Sequence, residues 1–538
     1  MFALLKISSV ESSDRASTGR VGALGLLLIS LLGACASLSP TPDGRSVTDF
    51  ITANDSPLGK ATFAAANKHA PLNGVRVLDS GRDALNERVA LVEAAEKSID
   101  AQYYIWNGDA TGRYLAGRIY AAAERGVRVR ILLDDINVAG RDSNLAALAN
   151  HPNIEIRIYN PFAARQGISR VFNFLGEFAR LNRRMHNKSF VVDGTVAILG
   201  GRNIGDEYFD ANPELNFRDR DVVAIGPVVA SVGSMFDTFW NSNLSRDIGE
   251  FVDAGADSRD FAEKSAATVE AASASLQSLG FAFPAGQGGA LSELQLSFAE
   301  MHWVPARLVY DPPPQPDTVG ETAESQPSAV ALSELARTAQ EEIVFESAYL
   351  VLDDDTLAAI RKMRDSGVQI RGLTNSLASN DVTANHAAYA KKRRKILESG
   401  IDLYELRPDA QSCQLLVANP SVCGPDDIFG LHAKTLVFDR KTVYVGSLNL
   451  NLRSRYLNSE SGLIIESPEL ASAIAGAIEL NMAPMNSWHV VLDSDDDLLW
   501  VSETADGRRS ESRSDPGTSW FRRRQAGFIA LFPLEKYL

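Results

Sequence analysis

The chain has 538 residues, of which 45% are hydrophobic and 22% are charged, and its formal net charge is −15. This composition is that of a folded protein, and the length allows two or more domains that each have a sizeable core. The acidic balance argues against a general nucleic-acid-binding protein, which normally presents a basic face.

Residues 1–35 have the composition of a targeting segment. Three basic residues precede an apolar run at 21–34 that is too short to span a membrane comfortably. The run ends in Leu-Gly-Ala-Cys, which resembles the lipobox of bacterial lipoproteins and predicts that Cys35 is lipidated. The alternatives are an uncleaved membrane anchor and a buried helix.

Ala36, the residue after the predicted lipidation site, resembles an outer-membrane sorting signal. We therefore expect a protein that is lipid-anchored in the bacterial envelope and faces the periplasm, at the outer rather than the inner membrane. Residues 36–74 are rich in Ser, Pro, Ala and Asp, a composition that predicts a tether.

Residues 75–250 alternate between helical and strand patterns. Their hydrophobic periodicity predicts helices at 83–97 and 114–125, and strands at 98–106, 127–135 and 154–158. Helices that alternate with strands indicate an α/β lobe, in which a mixed and mostly buried sheet is flanked by helices.

The stretch MHNKSFVVDGTVAILGGRN contains the first group of residues suited to chemistry, namely His186, Lys188, Asp193 and Asn203. Period-two alternation places His186, Lys188 and Phe190 on one face of a predicted strand. A turn at Asp193 and a second apolar run complete a pair of buried strands. Such a strand would present an imidazole and an ammonium group side by side.

Residues 251–328 separate two similar lobes, and they predict a helix followed by a Gly-rich loop at 284–289. Residues 329–490 then repeat the pattern of the first lobe. The repeat predicts helices at 329–342 and 356–366, and strands at 343–350 and 368–374. Residues 491–538 predict a C-terminal hairpin and an amphipathic tail.

Two cysteines, Cys413 and Cys423, lie in one loop before the second group of candidate residues. If Cys35 is lipidated, these two are the remaining cysteines of the chain, and an oxidising envelope would favour a disulfide between them. The alternative is a pair of free thiols.

The stretch LHAKTLVFDRKTVYVGSLN repeats the first motif with His432, Lys434, Asp439 and Asn449. The interval from His to Asn is 17 residues in both copies, although the chain has only seven histidines. Internal duplication therefore predicts two lobes related by a pseudo-twofold axis, with the two motifs meeting between them.

Two histidines, two lysines and two asparagines around one point suit a phosphate group. The lysines would supply positive charge and the asparagine amides would supply hydrogen-bond donors, so that neither a metal nor another cofactor is needed. One imidazole can attack phosphorus while the other protonates the leaving oxygen. The alternative, packing or edge protection by single residues, is disfavoured by the matched spacing.

The paired H-x-K-x4-D motifs, each with a Gly-(Gly/Ser)-x-Asn tail, resemble those of the phospholipase D superfamily. The segments GGRNIGDEYF and NLNLRSRYLNSESGLIIE are similar to the bacterial cardiolipin synthase branch, especially its C-type group. The resemblance extends from about residue 75 to the C-terminus. One departure is Gly201, where many members have Ser, whereas Ser447 keeps that residue in the second motif.

The resemblance also implies an acid some thirty residues after each motif that orients the histidine. It suggests Glu460 for His432 and Asp219 for His186, with Asp221 in reserve; the alternative for each is a surface carboxylate. The two motif acids, Asp193 and Asp439, lie at turns that end their strands, and we expect them to bind backbone groups or a neighbouring cation.

By resemblance, we expect a phosphatidyltransferase that works through a phosphohistidine on His186, with His432 as the general acid and base. The groups expected to hold the phosphate oxygens are Lys188, Lys434, Asn203 and Asn449. The expected substrates are phospholipids at a membrane surface: phosphatidylglycerol as acceptor, with phosphatidylethanolamine or phosphatidylglycerol as donor. The alternatives are a phospholipase D-type hydrolase, a periplasmic nuclease and a non-catalytic scaffold.

Two further features carry charge near the expected site or membrane. Six arginines flank the first motif, and they suggest a basic rim for an anionic headgroup or charge balance on a solvated face: Arg180, Arg183, Arg184, Arg202, Arg218 and Arg220. The tail WFRRRQAGFIALFPLEKYL resembles an interfacial amphipathic helix, with a helix that caps the second lobe as the alternative.

Overall fold

The computed structural model describes residues 50–138, 141–165, 167–251, 258–314, 325–417, 420, 423, 427–503, 507–533 and 535–537. The predicted targeting segment, including Cys35, lies outside these ranges, as does the tether up to residue 49. Within these ranges, no helix is long and apolar enough to cross a membrane.

The first half of the described chain is built around one sheet. Its strands, in chain order, are β1 (Asn73–Leu78), β2 (Ser98–Tyr103), β3 (Arg128–Asp134), β4 (Ile154–Tyr159), β5 (Ser189–Val192), β6 (Val196–Gly200), β7 (Leu215–Arg218), β8 (Asp221–Ile225), β9 (Ser245–Asp247) and β10 (His302–Val304). All except β7 form a sheet in the order β10-β1-β8-β6-β5-β2-β3-β4-β9. Within it β2, β3 and β4 are parallel, and the other neighbours are antiparallel.

A second sheet occupies the second half of the chain. Its strands follow as β11 (Ala306–Tyr310), β12 (Glu342–Ser347), β13 (Gln369–Asn375), β14 (Asp402–Leu406), β15 (Ile428–Leu431), β16 (Lys434–Phe438), β17 (Thr442–Gly446), β18 (Ser461–Glu466), β19 (Ser487–Leu492), β20 (Leu498–Glu503) and β21 (Arg509–Ser512). All except β15 form the order β11-β18-β17-β16-β12-β13-β14-β19-β20-β21. From β11 to β19 this order matches that from β1 to β9 strand for strand, which confirms the predicted duplicated α/β fold.

Helices separate many of the strands along the chain. In chain order they are α1 (Pro57–Ala66), α2 (Gly81–Ala94), α3 (Ala110–Glu124), α4 (Asp142–Ala149), α5 (Gly167–Gly176), α6 (Phe178–Leu181), α7 (Val228–Trp240), α8 (Ser258–Ser278), α9 (Gly286–Ala299), α10 (Pro327–Thr338), α11 (Asp354–Asp365), α12 (Thr383–Glu398), α13 (Cys413–Leu416), α14 (Leu452–Tyr456), α15 (Pro468–Met482) and α16 (Trp520–Ile529). The predicted helices and strands are present, with bounds displaced by a few residues. The predicted loop at 284–289 is shorter than expected, because α9 begins at Gly286.

The two lobes share one apolar core. The inner faces of both sheets pack with α7 and α15, and this cluster contains Val191 and Val222 of the first sheet and Val437 and Leu463 of the second. The outer face of each sheet has its own core beneath its outer helices. Since the inner core includes residues of both lobes, its burial also holds the lobes together.

Equivalent local signals begin and end the duplicated helices. The side chains of Asp109 and Asp353 accept hydrogen bonds from backbone N–H groups in the first turns of α3 and α11. After each of these helices, a glycine adopts positive φ, +94° at Gly126 and +99° at Gly367, where a residue with a side chain would be strained. These signals direct the chain from each helix into the next parallel strand.

Residues Phe162–Phe178 form a small unit of their own around α5. Asn173 accepts a hydrogen bond from the backbone N–H of Ala163 (2.9 Å) and donates one to Glu177 (2.7 Å). The rings of Phe174 and Phe178 meet edge to face at 5.3 Å. Local contacts of this kind hold the segment together.

Candidate active site

The second motif is joined to the first lobe by a parallel pair of strands. β15 pairs with β7 so that Leu431 lies opposite Arg218. The backbone N–H of His432 donates to the carbonyl oxygen of Arg218 (2.8 Å). In a parallel pair the residues that follow such partners are neighbours, so His432 is brought to Asp219.

The first motif is joined to the second lobe in the equivalent way. Met185 and Ser459 form a parallel β-bridge. The backbone N–H of His186 donates to the carbonyl oxygen of Ser459 (2.8 Å), which brings His186 to Glu460. Because this backbone pairs with the other lobe, β5 begins only at Ser189, and the prediction that His186 and Lys188 lie within that strand was wrong.

Each histidine is bound to an acid of the other lobe. Nδ1 of His186 donates to Glu460 (2.7 Å), and Nδ1 of His432 donates to Asp219 (2.5 Å). Both acids were predicted, but their assignment was wrong, since Glu460 was expected to orient His432 and Asp219 to orient His186. The physical reason is that the strands before each histidine pair across the lobes rather than within one. Asp221, the reserve candidate, instead binds Arg88 (2.8 Å).

The two acids differ in their further contacts. Glu460 also accepts hydrogen bonds from the hydroxyls of Ser447 and Ser454, both at 2.6 Å. Gly201 occupies the position of Ser447 in the first motif, and a Cβ atom there would meet Asp219 Oδ1 at 2.0 Å. The departure at Gly201 is therefore explained, because the Asp219 carboxylate fills the space that a serine side chain would take.

The imidazoles have one nitrogen fixed and one available. Burial lowers the pKa of both His186 and His432 to about 4, so both rings are neutral at neutral pH. Since Nδ1 donates to a carboxylate, the lone pair of each neutral ring is on Nε2. Nε2 makes no hydrogen bond to any described residue of the chain in either case, and it is therefore available to a ligand.

The two lysines share this environment. Burial lowers the pKa of Lys188 to about 7 and that of Lys434 to about 8, and each donates to the carbonyl oxygen of the histidine two residues before it. The charge of Lys434 acts on Lys188 and His186, and that of Lys188 acts on His432. These four side chains therefore form one electrostatic group in which positive charge accumulates unless an anion binds.

The motif asparagines are also buried. Asn203 accepts a hydrogen bond from the backbone N–H of Ile105 (3.2 Å). The Asn449 side-chain oxygen is buried and has no hydrogen-bond partner among the described residues. Because buried amides are normally paired, the Asn203 side-chain nitrogen, which also has no partner among the described residues, can donate to a bound phosphate oxygen, whereas the Asn449 oxygen can only accept.

The motif acids have the structural role predicted for them. Asp193 accepts backbone hydrogen bonds from Lys97 (2.8 Å) and Ser98 (3.0 Å), at the start of β2. Asp439 accepts them from Glu341 (2.8 Å) and from Glu342 at 3.0 Å, at the start of β12. Each acid thus connects the turn after its motif strand to the start of the neighbouring antiparallel strand.

Aromatic side chains next to the histidines were not predicted. The ring of Tyr104 meets that of His186 edge to face at 4.9 Å, and Tyr208 meets His432 in the same way at 5.1 Å. Phe217 lies 5.3 Å from His432. Tyr104 follows β2, at the carboxyl end of parallel strands where ligands of α/β sheets bind, and this position was the available signal.

The predicted basic rim was wrong for four of its arginines, which are buried: Arg184, Arg202, Arg218 and Arg220. Arg184 pairs with Asp134 (2.5 Å), and both Arg218 and Arg220 pair with Glu346 of the second lobe. These guanidinium groups neutralise buried carboxylates, since a buried charge needs a partner, and those of Arg218 and Arg220 also connect the lobes.

One further prediction concerns a covalent bond. Cys413 and Cys423 form the predicted disulfide, with an S–S distance of 2.01 Å. Within the described ranges, no cluster of three or more His, Cys, Asp or Glu side chains could hold a metal ion.

Two copies of one α/β lobe, with a histidine and a lysine from each at their junction, define the phospholipase D superfamily. A family model described as "Cardiolipin synthase, PLD-like domain" matches residues 89–240 and 332–479. The chain belongs to this family.

Relatives extend the match over most of the chain. The protein is 36% identical to cardiolipin synthase C of Escherichia coli over 484 residues, which covers 89% of this chain and 99% of that protein. It is 30% identical to an uncharacterized protein of Helicobacter pylori over 482 residues, covering 86% and 89%. The crystal structure of phosphatidylserine synthase from Haemophilus influenzae aligns with a TM-score of 0.50 and 15% identity, covering 79% of this chain and 91% of that one, and supports the fold alone.

Proposed function

We propose that this protein is a phosphatidyltransferase that synthesises cardiolipin, with phosphatidylglycerol as the acceptor. The observation that carries the proposal is the pair of imidazoles, each fixed at Nδ1 by a carboxylate of the other lobe. Each ring therefore keeps Nε2 available, and two lysines share the site. These groups suit the transfer of a phosphatidyl group from one alcohol to another.

In the first step, Nε2 of His186 attacks phosphorus of the donor phospholipid, and the bond from phosphorus to the headgroup oxygen breaks. The leaving oxygen takes a proton from Nε2–H of His432. His186 becomes a phosphohistidine whose ring charge is stabilised by Glu460 through Nδ1–H. Lys188 and Lys434 stabilise the negative charge on the other phosphate oxygens.

In the second step, the hydroxyl of phosphatidylglycerol attacks phosphorus and gives its proton to Nε2 of His432. The bond between phosphorus and nitrogen breaks, and the electron pair returns to His186. His432 thereby regains the proton that it gave up, and the site returns to its starting state. The choice of His186 as the nucleophile follows the family resemblance, because the two halves are closely similar.

The first step requires a proton on His432, whose ring is neutral in the free site. A bound phosphodiester carries a negative charge, which offsets the repulsion that Lys434 exerts on an imidazolium. We therefore expect substrate binding to raise the pKa of His432 and to bring in the proton that the leaving group needs.

The proposed partner is a membrane surface that contains phosphatidylglycerol, with phosphatidylethanolamine or a second phosphatidylglycerol as donor. Helix α16 supports this part of the proposal, because Trp520 and Phe521 are 64% and 70% exposed beside three arginines. The charge of Arg453 interacts with that of Glu460, and the Arg453 side chain donates a hydrogen bond to the carbonyl oxygen of Tyr537 (3.0 Å). The tail therefore lies near the candidate active site.

A second candidate function is hydrolysis by the same site, with water in place of the acceptor alcohol and phosphatidic acid as the product. Purified protein incubated with labelled phosphatidylglycerol, with and without phosphatidylethanolamine, separates the two by product mass. Cardiolipin is expected from the wild type and none from His186→Ala. Phosphatidic acid as the sole product would establish the hydrolase, and full turnover by His186→Ala would contradict both functions.

We also propose that the protein is anchored in the bacterial envelope through a lipid on Cys35, facing the periplasm at the outer membrane. The support is the Leu-Gly-Ala-Cys sequence after an apolar run. Labelled palmitate is expected in the wild type and not in Cys35→Ser. Label that persists in the variant would contradict the anchor, and membrane fractionation of the wild type tests the choice of membrane.

A further inference from the structure

A cavity of about 450 Å³ lies in the second lobe, between α10, α11 and the outer face of the sheet. Apolar side chains form most of its wall, including Leu332 of α10, Ile360 of α11 and Phe345 and Leu436 of the sheet. The Arg455–Asp353 ion pair (3.1 Å) also contributes to its lining.

The equivalent region of the first lobe is filled. There α2 and α3 pack against each other, with α9 along α2 and α8 along α3, and Leu85, Leu115 and Ile119 are fully buried. Among the described residues, no helix covers α10 and α11 in this way. The cavity therefore results from a difference between the two copies of the fold, and it is not a feature of the fold itself.

The cavity opens to solvent on one side, so its apolar walls are in contact with water in the free protein, and an apolar occupant would remove that surface from water. Its volume falls in the range of small-molecule pockets. Most of the lining side chains are apolar, which favours a hydrocarbon occupant, while the polar and charged lining residues leave room for a polar group at the end of that occupant.

The cavity extends to the second motif. Asn449 lines it, and the backbone N–H of Asn449 donates to the hydroxyl of Ser454 (3.3 Å). Ser454 in turn donates to Glu460, the carboxylate that holds His186. Asn449 and Ser454 therefore link the cavity lining, through hydrogen bonds, to the carboxylate that orients His186.

We propose that the cavity binds one acyl chain of the phospholipid whose phosphorus is attacked by His186. The proposal rests on the proposed phosphatidyltransferase function, which places a phosphate next to an Asn449 that the cavity already reaches. Each methylene group that leaves water for this cavity stabilises the bound lipid. The second lobe would therefore hold the hydrocarbon part of the substrate while both lobes hold its phosphate.

Two neighbouring residues of α11 provide a matched test. Both alanines are exposed, but only Ala359 lines the cavity, at its rim, and Ala358 does not. We expect Ala359→Phe to lower kcat/KM for long-chain phosphatidylglycerol in mixed micelles by about tenfold or more, while Ala358→Phe has little effect. Turnover of dihexanoyl phosphatidylglycerol, whose chains are short, should be similar in both variants. Equal losses in the two variants, or a loss independent of chain length, would overturn the proposal.

A second measurement does not depend on turnover. Phosphatidylglycerol with a photoactivatable diazirine in one acyl chain should label residues such as Met363 and Leu436 in the wild type, and label them less in Ala359→Phe. Absence of label from the cavity, as expected if another part of the chain filled it, would overturn the proposal, as would stronger labelling by free diazirine palmitate. Cavity labelling without turnover would instead refute the proposed function and leave the binding site standing.

Discussion

Glu460 accepts a hydrogen bond at 2.7 Å from Nδ1 of His186, a residue 274 positions earlier in the chain. Asp219 accepts the equivalent bond from His432. Neither lobe therefore contains a complete histidine–carboxylate pair, and each lobe supplies the acid for the other. Catalysis by either imidazole thus depends on the junction of the lobes being intact.

Glu460→Gln tests this exchange between lobes. An amide that donates to Nδ1 would favour the tautomer with hydrogen on Nε2, which removes the lone pair needed for attack. We expect activity to fall by about 10² to 10⁴ while the fold is retained. Asp219→Asn should have a comparable effect through His432.

Histidine ring ¹⁵N spectra identify which imidazole each acid controls. Glu460→Gln should alter the signals of His186 and leave those of His432 in place, and Asp219→Asn should do the opposite. Assignments come from His186→Gln and His432→Gln. If Glu460→Gln altered the signals of His432 and not those of His186, the result would contradict the geometry and support the pairing expected from the sequence.

The sequence was sufficient to identify the residues of the site but not their pairing. Identical spacing around His186 and His432 predicts two related lobes, and hydrophobic periodicity predicts most of their helices and strands. Whether β15 pairs with a strand of its own lobe or with β7 depends on how the lobes meet, and spacing carries no information about that. The identity of the acids was therefore predictable, whereas their partners were not.

The contacts of the arginines near the first motif were likewise not predictable from the sequence. A cluster of positive charge in an acidic chain suggests a binding surface, but Arg220 instead pairs with Asp79 and Glu346 in the interior. The partners are distant in sequence, so no local pattern distinguishes a buried ion pair from a solvated one. The cavity in the second lobe was not predictable for a similar reason, since it depends on how far α11 stands from its neighbours.

Gly201 and Ser447 occupy equivalent positions and provide a matched pair of variants. In Gly201→Ala the new Cβ would meet Asp219 Oδ1 at 2.0 Å, so the carboxylate must move away from His432. We expect a loss of activity of about 10² or more. Ser447→Ala removes the hydrogen bond that the hydroxyl donates to Glu460, an effect of about 1 kcal/mol or about fivefold on activity, and also the one that it accepts from the backbone N–H of Ser461.

The assay of labelled phosphatidylglycerol turnover measures both effects, and circular dichroism with thermal unfolding checks that each variant is folded. A Gly201→Ala enzyme as active as the wild type would show that the close approach of Asp219 is not required. A larger loss in Ser447→Ala than in Gly201→Ala would place the more sensitive contact at Glu460.

Stability should depend on pH through the two histidines. Burial lowers their pKa to about 4 in the folded protein, against about 6.5 in an unfolded chain. Between these values the unfolded chain binds more protons, so the free energy of unfolding decreases as pH falls from 6.5 towards 4. Above pH 6.5 both states are neutral at these groups and the contribution is constant.

Thermal unfolding of the wild type and of the His186→Gln/His432→Gln double variant, followed from pH 7.5 to 4.5, measures this contribution. The melting temperature of the wild type should fall more steeply below pH 6.5, because the variant lacks both titrating rings. Parallel curves for the two proteins would show that the histidine pKa values are not depressed.

The exposed aromatic side chains of α16 predict a specific membrane contact. The start of this segment is held by Asp515, which pairs with Arg393 (2.8 Å), so that removing aromatic groups from its surface should not unfold it. We expect Trp520→Ser/Phe521→Ser to lower binding to vesicles that contain phosphatidylglycerol by about tenfold, since two large apolar side chains no longer insert into the membrane interface.

Leu296→Ser, at a site that is 71% exposed on α9 of the first lobe, is the matched control. Vesicle sedimentation measures binding, and turnover of dihexanoyl phosphatidylglycerol should stay unchanged in all three proteins because that lipid needs no bilayer. Loss of short-chain turnover would assign the two aromatic groups to the site itself, and unchanged vesicle binding would mean that the membrane contacts another face.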